Sequence, residues 1–162
     1  MYQEIHELLV LSSRSIAANP ARFFKTSPGT YGAHDRFMGL NAKLLKDVAK
    51  KYQTLDMLNL SALMHSPFNE ERLLGIYILL LQYKKASTNT QAQLYDFYLR
   101  HIACINNWNL VDTSAHWIIG EHCFKHDDYQ LLFDFARHEG LWKRRIAIVS
   151  SLYPIKKQVF TP

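Results

Sequence analysis

Glycine and proline are scarce in this chain, six and five among 162 residues, so few positions interrupt regular structure. Cysteine is scarcer still. Cys104 and Cys123 are the only two, and a core this aromatic needs no disulfide; reduced thiols in a reducing, cytoplasmic compartment are expected. Long apolar runs are missing as well. The longest, Leu73 to Leu81 with Gly75 inside it, has nine residues and reads as core, because crossing a bilayer takes about 20. The first ten residues, MYQEIHELLV, have no basic segment leading into a long apolar stretch and do not read as a secretory signal.

What is present excludes a disordered chain: 48% of residues are hydrophobic, 13% aromatic and only 20% charged. The length suits one domain able to bury a real core. Lysine and arginine number 19 against 14 acidic residues, a formal charge of +5, which leans weakly toward a polyanionic partner.

Apolar residues recur at spacings of three and four rather than alternating, as in Leu94, Tyr95, Tyr98, Leu99 and Ile102. The expected fold is therefore all-α, with no strand. Ser66 followed by Pro67, Thr90 with Gln93, and Asp127 with Gln130 have the chemistry of helix starts, and Gly140 that of a stop. Helices are predicted near 2 to 18, 41 to 52, 54 to 64, 67 to 85, 91 to 104, 108 to 124, 128 to 139 and 142 to 153, with a short helix and an irregular loop over 19 to 40.

Three segments share one plan, a helix, a tight polar connection and a second helix opening with an aromatic: HSPFNEER at Phe68, INNWNLVD at Trp108 and EGLWKRRI at Trp142. Their aromatics fall 40 and 34 residues apart, close to the period of HEAT-like repeats, so an α-α superhelix follows. One turn beyond each aromatic sit Arg72, Asp112 and Arg145, which share its helix face. If the units are in register, a lone carboxylate lies among cations and tryptophans. Guanidinium groups can hold phosphates and indoles can pack on sugars or bases. The carboxylate is the odd member, either neutralised by a neighbouring arginine or kept for chemistry on something positive.

RFFKT (22 to 26), YGAHDRFMGL (31 to 40), HSPFNEERLLGIYIL (65 to 79), YDFYLR (95 to 100), INNWNLVD (105 to 112) and LWKRRIAIV (141 to 149) together resemble the AlkD-type DNA alkylation repair family, HEAT-like DNA glycosylases that remove N3- and N7-alkylated purines. The resemblance implies that Asp112 is the catalytic carboxylate, that Trp108 packs against the lesion nucleotide and that Arg145 grips the backbone beside it. It implies duplex DNA as partner, no cofactor, no membrane and a monomer, and action without flipping the base out. Trp142 matches too, and core packing is expected of it. Arg72, Arg144, Lys43 and Lys46 are candidate phosphate contacts. The sequence departs from the family pattern at Asn109, where aspartate is usual, and the family continues with further repeats, so residues 1 to 162 are expected to form a single HEAT-like domain lacking the C-terminal repeats.

The implied chemistry suits these residue types. An alkylated purine is cationic and already a good leaving group, and bond cleavage builds positive charge on the sugar, which a carboxylate can stabilise while it orients water. INNWNLVD contains no lysine, so hydrolysis is expected rather than Schiff-base chemistry. The alternatives are a non-catalytic DNA-structure-binding protein and a protein-interaction scaffold. Other signals are discounted. His116, His122, Cys123 and His126 crowd one region and Cys123 with His126 has ligand-like spacing, but GEHCFKH is not HExxH and no second cysteine pair is nearby; Ser114 near His116 has no nucleophile turn, and Lys43, Lys46, Lys50 and Lys51 read first as a solvated face.

Overall fold

The computed structural model describes residues 1–13 and 24–157, and among them the chain is all-α, with no strand and one isolated bridge between Arg36 and Phe68. The expected continuation of the first helix to 18 and the start of the following segment lie outside the described residues. The chain divides into two compact units, Met1–Gln82 and Tyr83–Pro162.

The first unit holds α1 (Tyr2–Ser13), α2 (Ala42–Lys51), α3 (Met57–Met64) and most of α4 (Asn69–Lys85). Asn41 starts α2 by accepting from the Leu44 amide at 3.0 Å, and Asp56 starts α3 by accepting from Asn59 at 2.9 Å. Along α2, Leu45 and Ala49 are buried while Lys43, Lys46, Lys50 and Lys51 are exposed, an amphipathic pattern. The long helix α4 is buried on nearly every side, with Leu73, Leu74, Ile76, Ile78 and Leu79 in the core.

Its first turn is polar and equally buried. Glu70 Oε1 accepts from the amides of Met38 at 3.0 Å and Gly39 at 2.8 Å; the φ of +80° at Gly39 is one that a residue with a Cβ rarely adopts. Glu71 takes the Ser66 and Tyr2 hydroxyls and pairs with His6 Nδ1 at 2.6 Å. Arg72 pairs with Asp35 and donates to the Ser66 carbonyl at 2.8 Å. HSPFNEER therefore ties α1 and the loop before α2 to the head of α4.

The second unit holds the end of α4, then α5 (Thr88–Arg100), a 3-10 turn (Ile102–Cys104), α6 (Trp108–Ala115), a π turn (His116–Gly120), α7 (Glu121–His126), α8 (Gln130–Ala136), α9 (Leu141–Ser150) and α10 (Leu152–Lys156). The segment expected as one helix over 108 to 124 is helical without a break from Trp108 to His126, with a π turn inserted at His116–Gly120. Gly120 lies so close to α9 that a Cβ there would sit 2.3 Å from the Ser150 carbonyl oxygen, and the wider π turn goes with that approach. The helix expected over 142 to 153 is two: α10 restarts after Ser151, with Pro154 in its first turn where no amide is required.

Three of the expected helix ends are corrected. Ser87, not Thr90, caps α5, its hydroxyl accepting from the Thr90 amide. Asp127 closes α7 in the left-handed region at φ 51°, and the next residue, Asp128, accepts from the Gln130 amide at 3.0 Å to start α8. Gly140 is no stop, since α8 ends at Ala136 and Gly140, at φ −72°, precedes α9. Ser66 does act at the head of α4, accepting from the Phe68 amide at 3.0 Å, with the helix beginning at Asn69.

A half-exposed carboxylate–guanidinium pair in the second unit

The segment INNWNLVD builds one half of the site. Asn107, fully buried and extended at φ −147°, begins α6, and its side-chain oxygen accepts from the Trp108 amide at 2.7 Å. Leu110, Val111, Ser114 and Ala115 then face the core. Helical spacing leaves Trp108 and Asp112, four residues apart, on a common half-buried face. Ser114 hydrogen-bonds with the Tyr98 hydroxyl at 2.7 Å and donates to the Leu110 carbonyl, so it is a buried structural hydroxyl with no nucleophilic role.

The other half comes from α9, which packs on α6 and on α8. Ile146, Ala147 and Ser150 point into that packing, and Ser150 donates to the Ala115 carbonyl at 3.2 Å. Arg145 precedes the buried pair and reaches Asp112 through two parallel bonds, Nε to Oδ1 at 2.8 Å and Nη2 to Oδ2 at 2.7 Å. The side chains remain 42% and 38% exposed, which decides their reading. An ion pair this open to water contributes about 1 kcal/mol or less to folding. It does fix the geometry, since a forked contact aligns both planar groups. A carboxylate has about four lone-pair positions, and this contact uses two of them.

One turn further along, burial first and Lys156 second lower the pKa of His116 below its ordinary 6.5, while the carbonyl and carboxylate of Asp112 pull the other way. Its Nδ1 is buried without a hydrogen-bond partner among the described residues. Its ring lies 4.6 Å from that of Trp117, and the Lys156 amine stands 5.8 Å over the Trp117 indole. Neither Trp117 nor Lys156 stands out in the motifs. The signal available was charge: from Leu141 to Lys157 the chain has Lys143, Arg144, Arg145, Lys156 and Lys157 and no acidic residue.

The other sequence-derived candidates fare differently. Arg72 is corrected: it is 4% exposed and committed to Asp35 and the Ser66 carbonyl, so it cannot reach a phosphate. Arg144 is exposed and donates to the carbonyls of His138 at 2.9 Å and Glu139 at 2.6 Å, where it braces the α8–α9 connection. Lys43 and Lys46 are exposed in the first unit, Lys46 with its amine 5.5 Å over the Tyr77 ring. Trp142 is half-buried in the first turn of α9. Cys123 is buried, and burial with Asp128 nearby pushes its thiol up to about 11, outside the range of a ready metal ligand. Among the described residues no three of histidine, cysteine, aspartate and glutamate are grouped to hold a metal ion, and no helix is long and apolar enough to cross a membrane.

Among the described residues the chain is all-α, and its second unit presents a forked, half-open aspartate–arginine pair, with Trp108 on the helix face of the aspartate and no acidic residue between Leu141 and Lys157. The sequence profile of the DNA alkylation repair enzymes matches residues 5–162, and the chain belongs to that family. The work of such enzymes is repair of alkylated DNA. No match was found among the curated proteins or among the solved structures.

Proposed function

We propose that this chain is a DNA glycosylase that hydrolyses the N-glycosidic bond of N3- or N7-alkylated purines in duplex DNA, acting as a monomer without cofactor or metal. Its helices would form a HEAT-like superhelix, and its location would be cytoplasmic. The observation that carries this reading is the Asp112–Arg145 contact, forked and open to solvent on the same helix face as Trp108.

In this reading the lesion supplies much of the driving force. The alkylated base carries its own positive charge and leaves as a neutral purine, so no strong general acid is required. Charge then appears on the deoxyribose. A unit negative charge about 4 Å away, at an effective dielectric of about 20, stabilises it by about 4 kcal/mol. That corresponds to about a thousandfold in rate. Arg145 would oppose this if it faced the sugar. Its natural second partner is a backbone phosphate, and a guanidinium bridging phosphate and carboxylate leaves the unused oxygen positions of Asp112 for the sugar and a water. Trp108 would pack against the lesion nucleotide and hold it there.

The test is release of 7-methylguanine from methylated duplex DNA. Wild-type chain should release it and Asp112→Asn should lose about three orders of magnitude; equal release by the two proteins removes the mechanism. Salt-dependent binding with no base release would instead favour a DNA-structure-binding protein, and no DNA affinity at low salt a protein scaffold.

A further inference from the structure

Trp117 is 47% exposed, an expensive placement for an indole in a protein that buries Tyr98 completely. It is not left bare, because the Lys156 amine stands over its ring; Tyr153 meets its edge with centroids 6.3 Å apart, and the Lys157 amine is 5.5 Å from the Tyr153 ring. The resulting surface is aromatic beneath and cationic above. His116 joins it to the carboxylate: its ring contacts Trp117, and it lies within electrostatic reach of both Asp112 and Lys156. The patch and the Asp112–Arg145 pair belong to one compact unit, with His116 the residue influenced by both Asp112 and Lys156.

Charge decides which occupant it fits. The segment that supplies Arg145, Lys156 and Lys157 has no acidic residue between Leu141 and Lys157, and nearby Glu121 is taken up by Lys125 at 2.6 Å. An apolar protein surface would gain nothing from lysines over the rings, whereas a nucleotide offers both a phosphate for the amine and a flat sugar or base for the indole.

We infer that Trp117 and Lys156 form a second DNA contact, in which the indole packs on a nucleotide flanking the lesion and the ammonium holds its phosphate. The inference rests on the glycosylase reading and extends it to a site that fixes the register of the bound strand from the π turn and α10. It makes no claim on the chemical step, which stays with Asp112.

The experiment measures binding of the full chain to a short fluorescent duplex across a salt series, alongside 7-methylguanine release. Lys156→Gln should weaken binding and lower the slope of log affinity against log salt by about one, and Lys156→Arg should restore both. Trp117→Ala should weaken binding about tenfold, with Trp117→Phe keeping most of it. Lysine 156 is exposed, so its variant reads binding even if a tryptophan variant folds poorly. Wild-type chain that binds DNA and releases base, with Lys156→Gln and Trp117→Ala titrating like it, overturns this inference and leaves the glycosylase reading standing. Variants that alter sedimentation and not DNA affinity overturn it in favour of a protein contact. Wild-type chain with no DNA affinity overturns both.

Discussion

Asp35 with Arg72 in the first unit and Asp112 with Arg145 in the second are the same two functional groups in opposite surroundings. The first pair has side-chain exposures of 0% and 5%, and its neighbours Glu70, Glu71, Asn69 and Ser66 are buried with it. Hydrogen bonds from this cluster run to main-chain groups of Met38, Gly39 and Ser66, so it serves to lock irregular backbone. The second pair is about two-fifths exposed, and the contact of its carboxylate is with the guanidinium alone among the hydrogen bonds described. Burial, more than residue type, separates a charge that holds the fold from one available to a ligand.

The sharpest way to break that comparison is to remove one partner from each pair. Arg72→Ala strands the Asp35 carboxylate in the interior, and loss of one member of a buried pair costs about 3–5 kcal/mol. Urea denaturation should show that loss, or the variant should fail to accumulate folded; a change under about 1 kcal/mol would mean the cluster holds nothing together. Asp112→Asn should do the reverse, with stability within about 1 kcal/mol of wild type and base release down about a thousandfold. If Asp112→Asn destabilises as much as Arg72→Ala, the exposed pair is as structural as the buried one.

The helical class is legible in the sequence because spacing and the scarcity of breakers both act locally. The site is legible in part for the same reason: Trp108 and Asp112 share a face by virtue of being four residues apart in a helix. What spacing cannot give is whether a face is covered. Phe68 and Arg72 have that same spacing, but Asp35, far back in an irregular loop, captures the guanidinium and turns a candidate phosphate contact into a core residue. The pairing of Asp112 with Arg145 and the π turn after it are equally long-range, since both depend on how α9 lies against α6 and Gly120. The capping errors are of another kind: Ser87 and Asp128 are polar neighbours of the residues expected, and local chemistry alone does not choose between them.

The π turn offers a smaller, sharper probe of how the second unit holds its open pair. A methyl group at position 120 would press on the Ser150 carbonyl and on Tyr153 Cβ, 2.9 Å away. Gly120→Ala should therefore cost about 1–3 kcal/mol, as overpacking does. Because Ser150 and Arg145 share α9, base release should fall as well, by far less than in Asp112→Asn. Unchanged melting and release would mean that α9 yields without moving Arg145.

The smallest expected effect is a pH dependence that belongs to the second unit. Burial and Lys156 depress the pKa of His116 below its ordinary 6.5, while Asp112 partly offsets them. Between the lowered folded value and 6.5 the unfolded chain binds more protons at this position, so the histidine's contribution is present above pH 6.5 and is lost as pH falls through the folded value. His116→Gln should flatten the part of the stability-versus-pH curve below 6.5, read by urea midpoints at a series of pH values. A curve that His116→Gln leaves unchanged would mean that the imidazole is as well solvated in the folded chain as in the unfolded one.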